Sequence, residues 1–327
     1  MSSRRIVLGT VPAMMRALKA TGLLLLGLFL LLGIGLLATW EPDQPVSALA
    51  ARWAPPPSQF VAVAGLNVHL RDEGPKDDPR PIVLLHGTSA SLHTWDGWVD
   101  GLKAQHRVIR FDLPGFALTG PTADHDYSVG AYVRFVIAML DSLSVPRVVL
   151  AGNSLGGFIA WSTAAAHPDR VDHLILVDSS GYPPKPQSVP IGFRIAQTPG
   201  LNRLMRSALP RSLVESSVKN VYGDPEKVTP EIIDRYRDML LREGNRRAIV
   251  YRLQQGYTGD PALIRSIKQP TLIVWGGRDR LVPLEHGQRF ARDIAGSKLV
   301  VFDDLGHVPQ EEDPVRSVAA VREFLGP

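Results

Sequence analysis

The apolar positions of this chain keep three different rhythms. From Thr21 to Thr39 they run unbroken for 19 residues without a charge, mostly Leu with Gly22, Gly27, Gly33 and Gly35. From residue 59 onward, short continuous apolar runs alternate with stretches at helical spacing. Between Gly181 and Pro270 that alternation lapses and only amphipathic stripes remain. Each rhythm predicts a different kind of structure.

The alternating part predicts a sheet. Phe60–Ala64 and Leu66–Arg71 flank Gly65 as a hairpin, and the runs at residues 81–86, 107–111, 148–151, 174–177, 271–275 and 298–302 read as buried strands. Helical spacing follows Ser128 (Tyr132, Phe135, Val136, Met139, Leu140, Leu143), continues over Phe158–Ala166, and closes the chain over Val315–Leu325. Strands buried on both faces and separated by helices imply an α/β fold with a mostly parallel eight-stranded sheet and helices on both sides. Residues 59–181 and 270–327 make up this core. Residues 182–269 carry one stripe over Leu201, Leu204, Met205, Ala208 and Leu209 and another after Thr229-Pro230-Glu231, and read as a helical cap inserted over the sheet. The stripes serve either as the cap's own core or as membrane contacts, the latter kept open by Arg203, Arg206 and Arg211.

Charge sharpens the reading of the first rhythm. The formal net charge is +4, but Arg4, Arg5, Arg16 and Lys19 are the only charges before Glu41. Without those four, basic and acidic residues balance, so the body carries no stripe that would suit nucleic acid. A 19-residue apolar helix is about 28 Å long, which matches a bilayer's hydrocarbon layer. Residues 21–40 are therefore expected to span a membrane, with Trp40 at the interface. The basic residues 1–20 would remain in the cytoplasm, and the body would lie in the periplasm or an equivalent extracytoplasmic space. A cleaved signal ending near Ala48-Leu49-Ala50 is the alternative. Residues 41–58, with Pro42, Pro45 and Pro55-Pro56-Pro57, read as a semi-stiff spacer. The chain has no cysteine, which removes disulfides, thiolate nucleophiles and cysteine-held zinc.

The chemistry gathers at strand ends. Residues 147–157, Arg-Val-Val-Leu-Ala-Gly-Asn-Ser-Leu-Gly-Gly, run a strand into G-x-S-x-G with Ser154 at the turn. An alcohol needs an adjacent base that is itself oriented by an acid. His307, in Asp304-Leu-Gly-His-Val-Pro309 after the last strand, is the candidate base. Asp279, in Trp275-Gly-Gly-Arg-Asp279, is the favoured acid and Asp178 the reserve, while Asp303 and Asp304 read as turn residues. Oxyanion donors are expected from the backbone of Leu155, at the start of the new helix, and of Thr88, in the loop after His86-Gly87. The Thr88 hydroxyl either adds a donor or steadies the turn, and His86 shapes the loop. Asn153, Trp95, Trp98 and Val308 are candidate pocket residues, the two tryptophans reading equally as core packing. His93, His106, His125 and His173 show no metal-ligand spacing, and no metal or cofactor is expected.

As a set, Leu85-His-Gly-Thr88, Asp112-Leu-Pro-Gly-Phe116, Gly152-Asn-Ser-Leu-Gly-Gly157, Trp275-Gly-Gly-Arg-Asp279 and Gly306-His-Val-Pro309 with Glu312 resemble the α/β-hydrolase superfamily over residues 58–327. The chain is similar in plan to lipase and esterase members with one N-terminal span, among them bacterial membrane-bound phospholipases and anchored monoacylglycerol hydrolases. The resemblance implies an acyl-enzyme on Ser154, hydrolysed by water that the histidine activates, and an acyl ester, lipid-derived, as substrate. Ala117 departs from the second glycine that many relatives carry after Pro-Gly-Phe. Asn153 resembles hydrolases that cleave carbon–carbon bonds in ring-cleavage products. Those relatives usually carry Gly-Pro-Gly after His-Gly and Trp after the catalytic histidine, where this chain has Thr88-Ser-Ala-Ser91 and Val308. Carbon–carbon hydrolysis is thus the second expectation, and a small-ester esterase that the anchor merely localises is the third.

Overall fold

Eight strands form one sheet in the order β1-β2-β4-β3-β5-β6-β7-β8. They are β1 (Gln59–Val63), β2 (Leu66–Glu73), β3 (Ile82–Leu85), β4 (Val108–Phe111), β5 (Val148–Asn153), β6 (Val171–Val177), β7 (Thr271–Gly276) and β8 (Lys298–Phe302). Only the β1–β2 and β2–β4 pairings are antiparallel; every pairing from β4 to β8 is parallel. The computed structural model describes residues 11–38, 40–183, 185–205, 207–256 and 259–326. Arg4 and Arg5 of the basic N-terminus and Thr39 of the expected span lie outside them.

The apolar runs from β3 to β8 are continuous because each of these strands feeds two cores. Along β3, Val83 and Leu85 enter the cluster on one face while Ile82 and Leu84 enter the cluster on the other. Helices α4 (Val129–Ser142), α5 (Leu155–Ala166) and α11 (Leu284–Asp293) pack on the first face. Helices α3 (Asp96–Leu102) and α13 (Pro314–Leu325) pack on the second. Ser128 starts α4 by accepting the Ala131 N–H, and Asp313 starts α13 by accepting that of Arg316.

Between β6 and β7 the chain builds α6 (Ile191–Gln197), α7 (Leu201–Leu204), α8 (Arg211–Val221), α9 (Pro230–Leu241) and α10 (Asn245–Gln254). Helix α9 begins where the sequence signals it, with Thr229 accepting the Ile232 N–H and Pro230 at the first helical position. The first stripe differs from expectation. It is one turn of helix followed by a break before α8, with Met205, Ala208 and Leu209 buried and Leu201 exposed. Small clusters of the cap's own, such as Leu209, Val214, Val218 and Ile233, take up most of its apolar side chains.

Helix α1 (Val11–Ala38) contains the apolar stretch Met14–Gly35, 22 residues with mean hydropathy 2.2 and none of it buried. The segment after it corrects the expected spacer at 41–58. It is a strap folded onto the cap, with α2 (Val46–Trp53) burying Leu49 and Trp53. The Trp53 indole donates to Asp238 at 2.8 Å, and Arg246 donates to Asp43 at 2.6 Å and to the Glu41 carbonyl at 2.7 Å. Glu41 also pairs with Arg237, and the Gln44 N–H meets the Leu241 carbonyl at 2.7 Å. The prolines misled the sequence reading because Pro45 marks a helix start, where a missing N–H costs nothing, rather than an extended linker.

Candidate active site

Ser154 sits between the last residue of β5 and the first of α5, at φ 54° and ψ −112°. A non-glycine residue there is strained, and it persists only because the neighbouring chains leave no alternative. The glycines on either side show how tight the packing is. A Cβ on Gly152 would lie 2.2 Å from the Gly156 carbonyl group, and one on Gly156 would lie 2.0 Å from the Leu85 carbonyl oxygen. The turn aims Ser154 into a cavity at the carboxyl ends of the strands, shared with Thr88, Asn153, His307 and Val308.

His307 and Asp279 form a buried pair, with Nδ1 2.6 Å from Oδ2. The other Asp279 oxygen accepts the N–H groups of Leu281 and Val282 at 2.8 and 2.9 Å, which fixes the carboxylate. Asp178, the reserve acid, does not reach the imidazole by a hydrogen bond. It lies beside Asp279 and accepts the Gly276 N–H at 3.0 Å. Burial and the neighbouring Asp279 charge push its pKa well above the usual carboxylate range. Asp178, Asp279 and His307 lie within 4.8 Å of one another, close enough to share a cation. Their donors suit a hydrogen-bonded chain better, since the His307 nitrogen already faces Asp279 and the other Asp279 oxygen already accepts two backbone N–H groups.

Supports that the sequence reading missed hold the His307 loop. Glu312 accepts N–H groups from Gly306 at 2.8 Å, from Gly223 at 2.9 Å and from Asp224 at 2.8 Å. The His307 N–H donates to the Val221 carbonyl at 2.7 Å. This loop is thus tied to the cap as well as to the sheet. Glu312 belongs to the motif set, but its role as an acceptor is visible only from these contacts. Asn153 uses its amide nitrogen to bridge the Val177 and His307 carbonyls at 3.1 and 2.9 Å, so it lines the cavity mainly as a brace.

The Thr88 loop and the start of α5 face each other across Ser154. Leu155 is the first residue of its helix, so its N–H has no intrahelical acceptor. His86 accepts the Leu113 N–H at Nε2 and donates from Nδ1 to the Gly87 carbonyl, and burial lowers its pKa. It is a neutral shaper of the loop. Ala117 adopts φ 44°, the left-handed conformation that glycine would take without strain, and its carbonyl accepts from Asn245 of the cap. Val308 lines the cavity. Trp95 does not. It is fully buried in the second core, 4.9 Å from the ring of Trp98, because the helical turn at Leu92–Trp95 points its indole inward beside that of α3.

Residues 80–314 match the family model of the alpha/beta hydrolase fold, and the chain belongs to that family. It is 28% identical to 2-hydroxymuconate semialdehyde hydrolase of Pseudomonas sp. (strain CF600), over 81% of this chain and 92% of that protein. Among solved structures, it is similar to the meta-cleavage product hydrolase CumD of Pseudomonas fluorescens IP01, with TM-score 0.70, 24% identity and coverage of 82% and 97%. It is also similar to a bacterial membrane phospholipase A, with TM-score 0.71, 25% identity and coverage of 92% and 97%.

Proposed function

We propose that this hydrolase cleaves lipid-derived acyl esters through an acyl-enzyme on Ser154, with α1 holding it at a membrane. The observation that carries this reading is the apolar cavity over Ser154. Its walls include Leu213, Val214, Val218, Leu240 and Ile249 from the cap, a lining suited to a hydrocarbon chain. The similarity to a membrane phospholipase A supports it, since that match extends over more of the chain than the match to CumD.

In the first step the Ser154 hydroxyl attacks the ester carbonyl and its proton passes to His307, whose positive charge the Asp279 carboxylate stabilises. The N–H groups of Leu155 and Thr88 receive the oxyanion. Collapse of the tetrahedral adduct expels the alcohol, which takes the proton back from His307. Water, deprotonated by the same imidazole, then releases the acid. Asp178 keeps Asp279 in register without itself meeting the substrate. With the N-terminus in the cytoplasm, the catalytic body lies on the extracytoplasmic side.

Carbon–carbon hydrolysis of ring-cleavage products is the second reading, favoured by Asn153 and by the names of the similar hydrolases. A substrate panel separates the two, using the full chain in nonionic detergent with p-nitrophenyl esters, monoacylglycerols, lysophospholipids, diacyl phospholipids and a vinylogous diketone. Turnover is expected to be highest on a lipid ester, and Ser154→Ala should abolish both turnover and fluorophosphonate labelling. Turnover of the diketone alone would replace the ester reading, and persistent labelling of the alanine variant would remove Ser154 as nucleophile.

A further inference from the structure

A second cavity shares Ser154 and Thr88 with the first, and its chemistry differs. Ser154, Thr88, Ser180, Gln197, Arg252 and His286 supply its polar wall, and no aspartate or glutamate lines it. Arg252 extends from α10. Its Nη1 donates to the Gly256 carbonyl at 3.0 Å, while its Nε is buried without a hydrogen-bond partner. Two more deeply buried arginines also leave one nitrogen unpartnered, but both are ion-paired. Arg110 pairs with Glu73 and Asp96, and Arg246 with Asp43. Among the described residues no carboxylate acts on Arg252. Burial lowers its pKa, and the only ionisable neighbour opposing that is the Tyr132 phenol. His286 adds a second unmet demand, with its Nδ1 buried and unpartnered.

A half-buried guanidinium without a counter-ion is an unfavourable arrangement that a bound anion relieves. Arg presents N–H groups in a fork that matches carboxylate and phosphate oxygens. We infer that this cavity is a subsite for an oxyanion carried by the substrate, a carboxylate or a phosphate, with Arg252 as the residue that recognises it. The substrate then straddles Ser154, its hydrocarbon part under α8 and α9 and its charged part under α10. This inference rests on the assignment of Ser154 as the reacting residue, and it holds for ester and carbon–carbon substrates alike.

The test is protection of Ser154 from fluorophosphonate labelling in the full chain in nonionic detergent, with octyl phosphate, octanoate and octanol as competitors. In the wild type at least one anion should half-protect at a concentration about ten-fold or more below that of octanol, and the better of the two identifies phosphate or carboxylate. Arg252→Met should lose that advantage while octanol still protects, and Arg252→Lys should keep part of it. Equal protection by all three compounds in the wild type would overturn the proposal, as would an anion advantage that survives in Arg252→Met. The wild-type comparison decides even where the methionine variant does not fold. Because ester turnover is not the readout, failure of the ester panel leaves this result standing. A wild type that takes up no label would instead remove the Ser154 assignment on which both readings rest.

Discussion

The two surfaces that meet at Ser154 are built by different means. On the sheet side, every side chain expected to react is held by short directional contacts: a strained turn under Ser154, a 2.6 Å bond between His307 and Asp279, and three backbone donors on Glu312. On the cap side, Leu213, Val214 and Leu240 offer shape and dryness but few polar groups. Reaction chemistry tolerates little displacement, whereas a hydrocarbon chain needs only volume and exclusion of water. The contrast teaches that the core sets which bond breaks and the cap sets which molecule arrives. The strap joins the two, because Trp53 bonds to Asp238 of the cap and its carbonyl accepts from His93 of the core at 2.8 Å.

The sharpest way to break this division is on the core side. His307→Gln should lower kcat by about 10⁴–10⁶-fold on every substrate while KM changes little, as removal of a member of such a constellation does. A loss confined to long-chain substrates would show that the histidine serves the pocket rather than the reaction. On the cap side, Leu213→Trp should fill part of the apolar cavity and lower kcat/KM for long acyl chains by about ten-fold, equivalent to roughly 1.4 kcal/mol. Turnover of an acetyl ester should stay near the wild-type value. Equal losses on both esters would mean that the cap wall also positions the reacting residues.

The last expected effect is on stability rather than turnover and concerns the joint between the regions. Burial lowers the pKa of His93 to about 3, with Arg71 3.4 Å from its Nε2. Below pH 6.5 the unfolded chain binds a proton there that the folded chain refuses until about pH 3. Stability from this group is therefore complete above pH 6.5 and is lost progressively as pH falls toward 3, by up to about 1.4 kcal/mol per pH unit. Asp112, held at about 2 chiefly by its buried contact with His69, adds a further loss below about pH 4. The melting temperature should fall between pH 6.5 and 4, and His93→Gln should flatten that fall. An unchanged slope would assign the acid sensitivity to other groups.

Much of the architecture was legible because the signals are local. Two-sided burial writes itself as unbroken apolar runs, so the strands could be placed from Val83, Leu85, Ile82 and Leu84 and their counterparts. The turn at Ser154 needs small residues in contact range, so glycines mark it. The sequence also determined that Asp279 and His307 follow the last two strands. Proximity across the sheet was invisible. Whether Asp178 or Asp279 faces the imidazole depends on side-chain directions at two adjacent strand ends, and either spacing reads alike. Trp95 was misplaced for the same reason, since an indole's destination is set by a helical turn and not by its distance from His86. Residues 41–53 looked like a linker because prolines and charges suit both a linker and a strap. Only the packed cap supplies Arg246 and Asp238, the partners that make it a strap. The oxyanion cavity has no sequence signature at all, because an arginine without a counter-ion can be recognised only once its neighbours are known.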